Sequence, residues 1–297
     1  GASAPGSIFK MCTTMTAMEE GIISQGDTVV DEGEFKKITP SPKCWIFTSG
    51  GGATHGSINV MQALAQSCNY FFYEMGYRLG TNSKGNYDSA LGLSKIEKYA
   101  KVLGLDMKSG VEITERDPHF STESAVHSAI GQGSNAYTPV QLARYVSTIA
   151  NGGKNYSLTL LDKVVSSKGK TVLKKKSKLT NTVDASGSTW DAIHTGMREV
   201  ITEGTVYKYF KDTKINIAGK SGTAQENKKR NSHALFVAYA PYDNPEIATS
   251  VVIPFGNSSH DSAELAKNVI QYYYGEITDK DVKKNVKKDD SNNVTQD

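Results

Sequence analysis

The chain has 297 residues, of which 38% are hydrophobic and 22% charged, which favours a folded protein with a buried core over a disordered one. The formal net charge of +3 argues against a nucleic-acid partner. No run approaches the ~18 uninterrupted apolar residues of a membrane span, no signal peptide is visible, and three cysteines do not form a disulfide framework.

The first eighty residues are predicted to hold two helical segments separated by a polar loop. Apolar residues recur at helical spacing over 7–21, where Gly21 can end the helix. Residues 24–57 are rich in Gly, Pro, Ser and Thr, which predicts a loop with short extended pieces. A second helical segment is predicted over 58–79, with an interruption near Ser67.

The middle of the chain combines amphipathic helices with one strongly polar segment. The spacing of apolar residues predicts helices over 94–103 and 138–151. Residues 157–188 are polar and include the run KKKSK, which we interpret as a solvated hairpin or surface loop. A further helix is predicted over 189–203.

The last third predicts a sheet, a helix and a tail. The strand-forming runs are INIAGKSGTAQ, HALFVAYAP and IATSVVIPF. Their short, turn-rich gaps favour an antiparallel meander. A last helix is expected over 261–274, and the polar tail 278–297 is expected to be disordered. Helices first and strands last indicate an α+β fold, with a helical cluster beside an antiparallel sheet.

Three short motifs carry side chains that suit acyl transfer. Ser7 stands three residues before Lys10, and on a helix these positions share a face, so a desolvated lysine could take the serine proton. The alternative is a capping serine followed by a surface lysine. Ser67 and Asn69 place a hydroxyl and an amide two residues apart. In KSGT at 220–223, the glycine would let a ligand backbone approach, and the lysine and hydroxyls suit a carboxylate.

Together and in this order, these motifs resemble the S-x-x-K, S-x-N and K-[S/T]-G set of the penicillin-binding proteins and serine β-lactamases. PGSIFK resembles the family's PGSTFK, with Ile8 in place of threonine. HGSINVMQALAQSCNYFFYEMG and IGQGSNAYTPVQLARYVSTIANGG are similar to segments of class B transpeptidases of the elongation and sporulation type, such as penicillin-binding protein 2. The resemblance runs from about residue 4 to 275. It implies a transpeptidase domain over 1–277, with a central antiparallel sheet flanked by helices and an all-helical cluster.

The family also implies parts that this chain does not supply. Two strands of its central sheet precede the serine helix, and this chain starts too late to contain them. Either an upstream part was cut away and remains associated, or the sheet is incomplete, and we expect the former. The resemblance implies an N-terminal pedestal domain and one membrane anchor, with the catalytic domain on the extracytoplasmic face of the cell membrane.

The resemblance assigns roles in an acyl-transfer reaction on peptidoglycan stem peptides. Ser7 would attack the penultimate D-alanine carbonyl and expel the terminal D-alanine. Lys10, kept largely neutral, would be the base. Ser67 would relay a proton to the leaving amine with the help of Lys220. Asn69 would hold the substrate amide and orient the base, and a second stem peptide's amine would then take the acyl group.

The third motif is implied to bind the negative end of the substrate. Lys220, Ser221, Gly222 and Thr223 would hold the terminal carboxylate of a stem peptide or a β-lactam. Backbone N–H groups of the nucleophile and of Thr223 would form the oxyanion hole, where losing one donor typically costs ~10²-fold or more in rate. Residues 131–133 either shape the rim of the cleft or form a plain turn before a helix.

A metal site is expected beside these motifs. Cys44, His55 and Cys68 offer two thiolates and an imidazole, which suit Zn²⁺ with one further ligand. Relatives of penicillin-binding protein 2 that resemble this segment hold a zinc there, and the resemblance implies Asp31 as the fourth ligand of a structural site.

Alternatives remain for each part of this site. Glu32 and Glu34 stand beside the implied acidic ligand and compete with it. The two cysteines at 44 and 68 could form a disulfide outside the cytoplasm, or be plain buried thiols. Cys12 is expected to be a core residue of the first helix.

Two rival functions differ from a peptidoglycan D,D-transpeptidase. A class D β-lactamase or β-lactam sensor domain shares two of the motifs, and a catalytically silent relative could serve as a scaffold for cell-wall machinery. The resemblance implies stem peptides, β-lactams and a cell-wall glycosyltransferase of the elongation or sporulation machinery as partners, hence a bearing on cell shape and antibiotic resistance. No organic cofactor is expected.

Overall fold

The computed structural model describes residues 1–225, 230–256 and 258–282. A 3₁₀ turn over Gly6–Phe9 leads into the first helix, and a second lies at Tyr207–Tyr209. The α-helices of these ranges are α1 Lys10–Glu19, α2 Trp45–Ser49, α3 Val60–Ala65, α4 Asn69–Gly80, α5 Ser89–Val102, α6 Ala125–Ser128, α7 Pro139–Ala150, α8 Gly187–Thr202 and α9 Ser259–Tyr273. The strands are β1 Val29–Asp31, β2 Gly56–Ile58, β3 Lys154–Tyr156, β4 Lys163–Val165, β5 Thr171–Lys174, β6 Leu179–Thr182, β7 Ala218–Ala224, β8 His233–Ala240 and β9 Ile247–Ile253.

The main sheet is the antiparallel meander that the sequence predicts, in the order β7-β8-β9. Lys220 pairs with Val237, and Val237 pairs in turn with Ser250. Every residue of β8 is buried, because helices cover both faces of the sheet. Alternate side chains of this strand enter two different hydrophobic clusters, one with α1 and α7 and the other with α9. A strand covered on both faces is apolar without alternation, as HALFVAYA is.

Helix α1 lies at the centre of the helical cluster, in contact with α3, α4, α5 and α8. All its residues from Lys10 to Ala17 are buried, including three threonines. The hydroxyl of Thr13 donates to the carbonyl of Ala129, and that of Thr16 donates to Cys12. These bonds satisfy two of the three buried hydroxyls, whereas that of Thr14 has no hydrogen-bond partner among the described residues.

Most predicted elements are present, with shifted boundaries. The helix predicted over 7–21 begins as a 3₁₀ turn, and the helix predicted from 94 begins at Ser89 because the side chain of Asp88 accepts a hydrogen bond from Ala90 N–H. The segment 157–188 contains the exposed hairpin β4–β5, as interpreted. The short helices α2 and α6 were not predicted.

The outer edge of the main sheet and the C-terminal tail bear on the domain boundaries expected above. Within the described ranges, no strand pairs with the outer edge of β9. Residues 279–282 form a helical turn, and the rest of the tail predicted to be disordered, 283–297, lies outside the described residues. None of the helices described is both long and apolar enough to span a bilayer.

Candidate active site

The three motifs converge on one cleft of about 580 Å³. The predicted site residues that line it are Ser7, Ser67, Asn69, Ser221, Gly222 and Thr223. Lys10 and Lys220 lie beneath its floor, both fully buried. The cleft therefore runs between the strand β7 on one side and the helical cluster on the other.

Three glycines place the nucleophile candidate Ser7 at the seam between the sheet and a neighbouring turn. A Cβ atom on Gly6 (φ +52°) would lie 2.5 Å from the carbonyl oxygen of Thr223, and one on Gly131 (φ +73°) would lie 2.1 Å from the oxygen of Gly6. On Gly222 a Cβ would lie 2.9 Å from Pro5 O. The glycine of KSGT thus makes room for the chain's own serine turn, where the sequence alone predicts room for a ligand.

Ser67 lies between the two buried lysines. Its hydroxyl accepts hydrogen bonds from Lys10 Nζ at 3.2 Å and from Lys220 Nζ at 3.0 Å. The residue has φ +52°, a left-handed conformation that costs energy for a side chain with a Cβ. It lies in the break between α3 and α4, so this conformation turns its hydroxyl toward both amines.

Lys10 is held by the second motif. Its ammonium donates to the carbonyl of Ser67 at 2.8 Å and to Oδ1 of Asn69 at 2.7 Å, besides the Ser67 hydroxyl. Among the described residues, the hydroxyl of Ser7 is not one of its hydrogen-bond partners. The predicted base is therefore anchored next to the predicted proton relay.

Burial shifts both lysines toward the neutral form. It lowers the pKa of Lys10 to about 8, against the opposing effect of the charges of Cys68 and Cys44. The pKa of Lys220 is lowered well below its usual value, first by burial and then by the positive charge of Lys10. The sequence analysis expects Lys10 to be largely neutral, and burial shifts the pKa of Lys220 in the same direction.

Thr205 and Trp45 line the cleft but were given no role there by the sequence analysis. The hydroxyl of Thr205 lies 3.1 Å from that of Ser221, and Gln132 Nε2 donates to Thr223 O at 3.3 Å. Trp45 also lines the cleft, and its indole N–H donates to the carbonyl of Gln66. For Thr205 the available signal was its position in a Gly-Thr pair just after a helix. Gln132 belongs to the segment for which a rim role was one alternative.

A second cluster lies behind the Ser67 motif, formed by Asp31, Cys44, His55 and Cys68, whose ligand atoms are all within 4.8 Å of one another. The two sulfur atoms are 3.9 Å apart, and Cys44 Sγ is 3.6 Å from His55 Nδ1. Asp31 Oδ2 is 3.6 Å from Cys68 Sγ and 2.7 Å from His55 Nδ1. Four donors around a tetrahedral zinc, with a Zn–S bond of about 2.3 Å, would place two sulfurs about 3.8 Å apart.

The donor chemistry of this cluster also fits a cation. The hydrogen bond from Cys68 is the main reason that the pKa of Cys44 is lowered to about 5, whereas burial raises the pKa of the Cys68 thiol. Burial alone would raise the pKa of Asp31, but hydrogen bonds from the backbone and ring of His55 hold it below its usual value. Two nearby sulfurs and a buried carboxylate need positive charge to be ionised together.

The structure argues against a disulfide between the two cysteines and against the two glutamates as ligands. All three cysteines are free, and a separation of 3.9 Å is far from the about 2.05 Å of a disulfide. Cys12 is fully buried in the core, as predicted. The carboxylate of Glu32 accepts from Tyr70 OH instead of joining the cluster, and Glu34 is not part of it either.

Comparison with known proteins identifies relatives over nearly the whole chain. Residues 1–271 match the family model described as the penicillin binding protein transpeptidase domain. The peptidoglycan D,D-transpeptidase MrdA of Haemophilus influenzae is 28% identical, over 92% of this chain and 44% of the relative. Penicillin-binding protein 2A of Bacillus subtilis is 30% identical, over 91% of this chain and 41% of the relative. The chain thus spans less than half the length of these relatives.

Solved structures share the fold. A peptidoglycan synthase complex, described as coordinating polymerization and crosslinking, contains a chain with a TM-score of 0.77 and 23% identity, covering 94% of this chain and 47% of that one. Penicillin-binding protein PBP2 of Helicobacter pylori, in complex with MreC, gives a TM-score of 0.74 and 24% identity, over 93% of this chain and 51% of that one.

Proposed function

From the premise that this chain belongs to the family of penicillin-binding-protein transpeptidase domains, with the α+β fold of that family, we propose that it is the catalytic domain of a peptidoglycan D,D-transpeptidase. The observation that carries the proposal is the meeting of a serine, two buried amines with lowered pKa values, and an amide in one cleft. A nucleophile needs a neutral base nearby, and buried lysines supply it.

In the proposed reaction, Ser7 Oγ attacks the carbonyl of the penultimate D-alanine of a stem peptide. Neutral Lys10 takes the hydroxyl proton, and the carbonyl becomes an oxyanion held by backbone N–H groups of Ser7 and Thr223. The C–N bond then breaks, and Ser67 passes a proton to the leaving D-alanine amine. The acyl group stays on the serine until the amine of a second stem peptide attacks it.

The bridge through Ser67 supports a way to prepare this base. A terminal carboxylate bound at Lys220, Ser221 and Thr223 would favour the charged form of Lys220, because opposite charges stabilise each other in a desolvated site. The Ser67 hydroxyl contacts both amines and can move a proton from Lys10 to Lys220. Lys10 would then be neutral when substrate is present.

We also propose that the cluster of Asp31, Cys44, His55 and Cys68 holds a structural Zn²⁺. Its support is the near-tetrahedral spacing of the two sulfurs and the imidazole nitrogen. A bound zinc would supply positive charge and four directional bonds, without taking part in the reaction. Cys68 directly follows Ser67, so the site would fix the segment that carries the proton relay.

The partners and location of the whole protein are proposed by analogy with its relatives. The synthase complex named above joins polymerization to crosslinking, which supports a cell-wall glycosyltransferase of the elongation or sporulation machinery as partner. We propose that the domain acts on the extracytoplasmic face of the cell membrane, through an upstream pedestal and anchor. The outer edge of β9, which is unpaired within the described residues, supports pairing with strands from that upstream part. β-Lactams would acylate the same serine, which is how the domain would bear on antibiotic resistance.

Mass spectrometry after treatment with benzylpenicillin tests this function. The expected result is a single adduct on Ser7 that persists for many minutes, because a transpeptidase deacylates slowly. Rapid release of the acyl group would instead indicate a β-lactamase or sensor-like domain. No adduct with any β-lactam would contradict the proposal and favour a scaffold role.

A further inference from the structure

A second cavity, of about 340 Å³, borders the metal cluster. It is lined by His55 from the cluster, by Gln62 of α3, and by Glu199 and Glu203 of α8 and its C-terminal end. No role in the proposed reaction has been given to either glutamate. The cavity therefore joins the candidate zinc site to a helix that the catalytic motifs do not use.

With a metal bound at Nδ1, His55 would present a hydrogen-bond donor that has no acceptor in the described part of the chain. Its Nδ1 faces the cluster, 2.7 Å from Asp31 Oδ2 and 3.6 Å from Cys44 Sγ. When Nδ1 is the ligand atom, the ring proton is on Nε2. The side chain is only 5% exposed, and Nε2 is buried without a partner in the described part of the chain. A buried N–H left unbonded costs roughly 1–3 kcal/mol.

Glu199 has the complementary feature, an acceptor atom without a donor. Its Oε2 is also buried without a hydrogen-bond partner among the described residues. Burial, with the nearby charge of Glu203, raises the pKa of this carboxyl group. Neither glutamate forms an ion pair with a described lysine or arginine. One cavity thus contains a donor that lacks an acceptor and an acceptor that lacks a donor.

We propose that Glu199 is a positioning residue for the metal site, connected to His55 Nε2–H through ordered water in this cavity. A water molecule takes about 30 Å³ in the liquid, so the cavity has room for several of them. The row of water molecules would end on a polar group at each side, His55 Nε2 and the Glu199 carboxylate. The connection fixes the tautomer and ring orientation of His55, and makes Nδ1 a better ligand. This inference rests on the proposed zinc site.

Carboxylates that accept from a metal-bound histidine typically contribute 10- to 100-fold to metal affinity. In this chain the carboxylate belongs to α8, which packs against α3 and β7. The metal site would therefore be tied to the helix that leads to Thr205 at the edge of the cleft, as well as to the Ser67 segment.

Zinc affinity, measured by competition with a chromophoric chelator, tests the proposal. Glu199→Leu is expected to weaken binding about 10- to 100-fold, whereas Glu199→Gln, which keeps an acceptor oxygen, should recover most of that loss. Glu203→Leu is the matched control and should bind zinc as the unaltered protein does, because Glu203 is exposed to solvent. Unchanged affinity in Glu199→Leu would overturn the proposal.

Two further readings separate a positioning role from a merely structural one, and from failure of the metal proposal itself. The melting temperature of zinc-free Glu199→Leu should stay close to that of the zinc-free unaltered protein. If the variant's melting temperature were lowered equally with and without zinc, the positioning role would be overturned. A crystal structure should show water bonded to His55 Nε2 and continuing to the Glu199 carboxylate. A dry cavity would refute the inference, even if the unaltered protein bound no zinc.

Discussion

Lys220 Nζ donates a hydrogen bond to Ser67 Oγ over 3.0 Å, although 153 residues separate the two in the chain. This bond joins the main sheet to the helical cluster at the point where the cleft lies. It also makes one hydroxyl the shared neighbour of two amines, since Lys10 binds the same oxygen. The protonation of either lysine therefore depends on the other.

The first prediction is the pH dependence of acylation. Burial lowers the pKa of Lys10 to about 8, so this amine holds its proton at pH 7 and loses it as the pH rises through 8. That proton is the one that Ser67 would pass to Lys220 when a carboxylate binds, so the second-order rate of β-lactam acylation should fall several-fold between pH 7 and 9. Stopped-flow or gel labelling with a fluorescent penicillin measures it, and a rate that increases over this range would argue against proton transfer between the two lysines.

The second prediction concerns Asn69, whose Oδ1 accepts from Lys10 at 2.7 Å. Asn69→Asp places a negative charge beside the ammonium, which stabilises the charged form and should move the midpoint of the acylation profile to higher pH. Asn69→Ala removes an acceptor from the ammonium, so its midpoint should move the other way. Profiles of the two variants that shift in the same direction would contradict this electrostatic account.

The third prediction tests carboxylate binding by Lys220. Lys220→Met keeps the length and burial of the side chain but removes its charge, and should slow acylation by β-lactams about 10- to 100-fold. Lys267→Met is the matched control. Lys267 of α9 is also buried, but its amine pairs with the carboxylate of Asp212 at 2.9 Å. That variant should lose stability and keep its acylation rate. Equal rates for both variants would show that Lys220 does not bind the anionic end.

The fourth prediction concerns the metal. Protein purified without added metal should contain about one zinc per chain, and a strong chelator should lower its melting temperature, because ligands that bind only the folded state stabilise it. Cys44→Ser should lose most of the metal, whereas Cys12→Ala, a fully buried cysteine away from the cluster, should retain it. A content below a few tenths of a zinc per chain would contradict the site.

Local patterns were sufficient to predict most helices and strands of this fold. The strand β8 was found because a run apolar on both faces, bounded by turn residues, has few alternatives. The break between α3 and α4 was predicted, but the left-handed conformation of Ser67 was not. That conformation depends on contacts with two lysines that are distant in sequence, and no local pattern encodes them.

The candidate site residues were predicted by motif and resemblance, and desolvation of Lys10 was expected with them. The lowered pKa of Lys220 was not predicted, because it follows from how the sheet packs on the helical cluster and from the nearby charge of Lys10. The cavity between His55 and Glu199 was also beyond sequence reasoning, since neither spacing nor residue type brings a loop histidine to helix α8.

The close approach of Gly6, Gly131 and Gly222 to backbone atoms leaves no space for even one methyl group. Any other amino acid at these three positions would displace the backbone around the serine turn, whatever its polarity. Side chains on the walls of the cleft, such as those of Trp45 and Thr205, can change without that displacement, so heritable changes in what the cleft accepts are expected there.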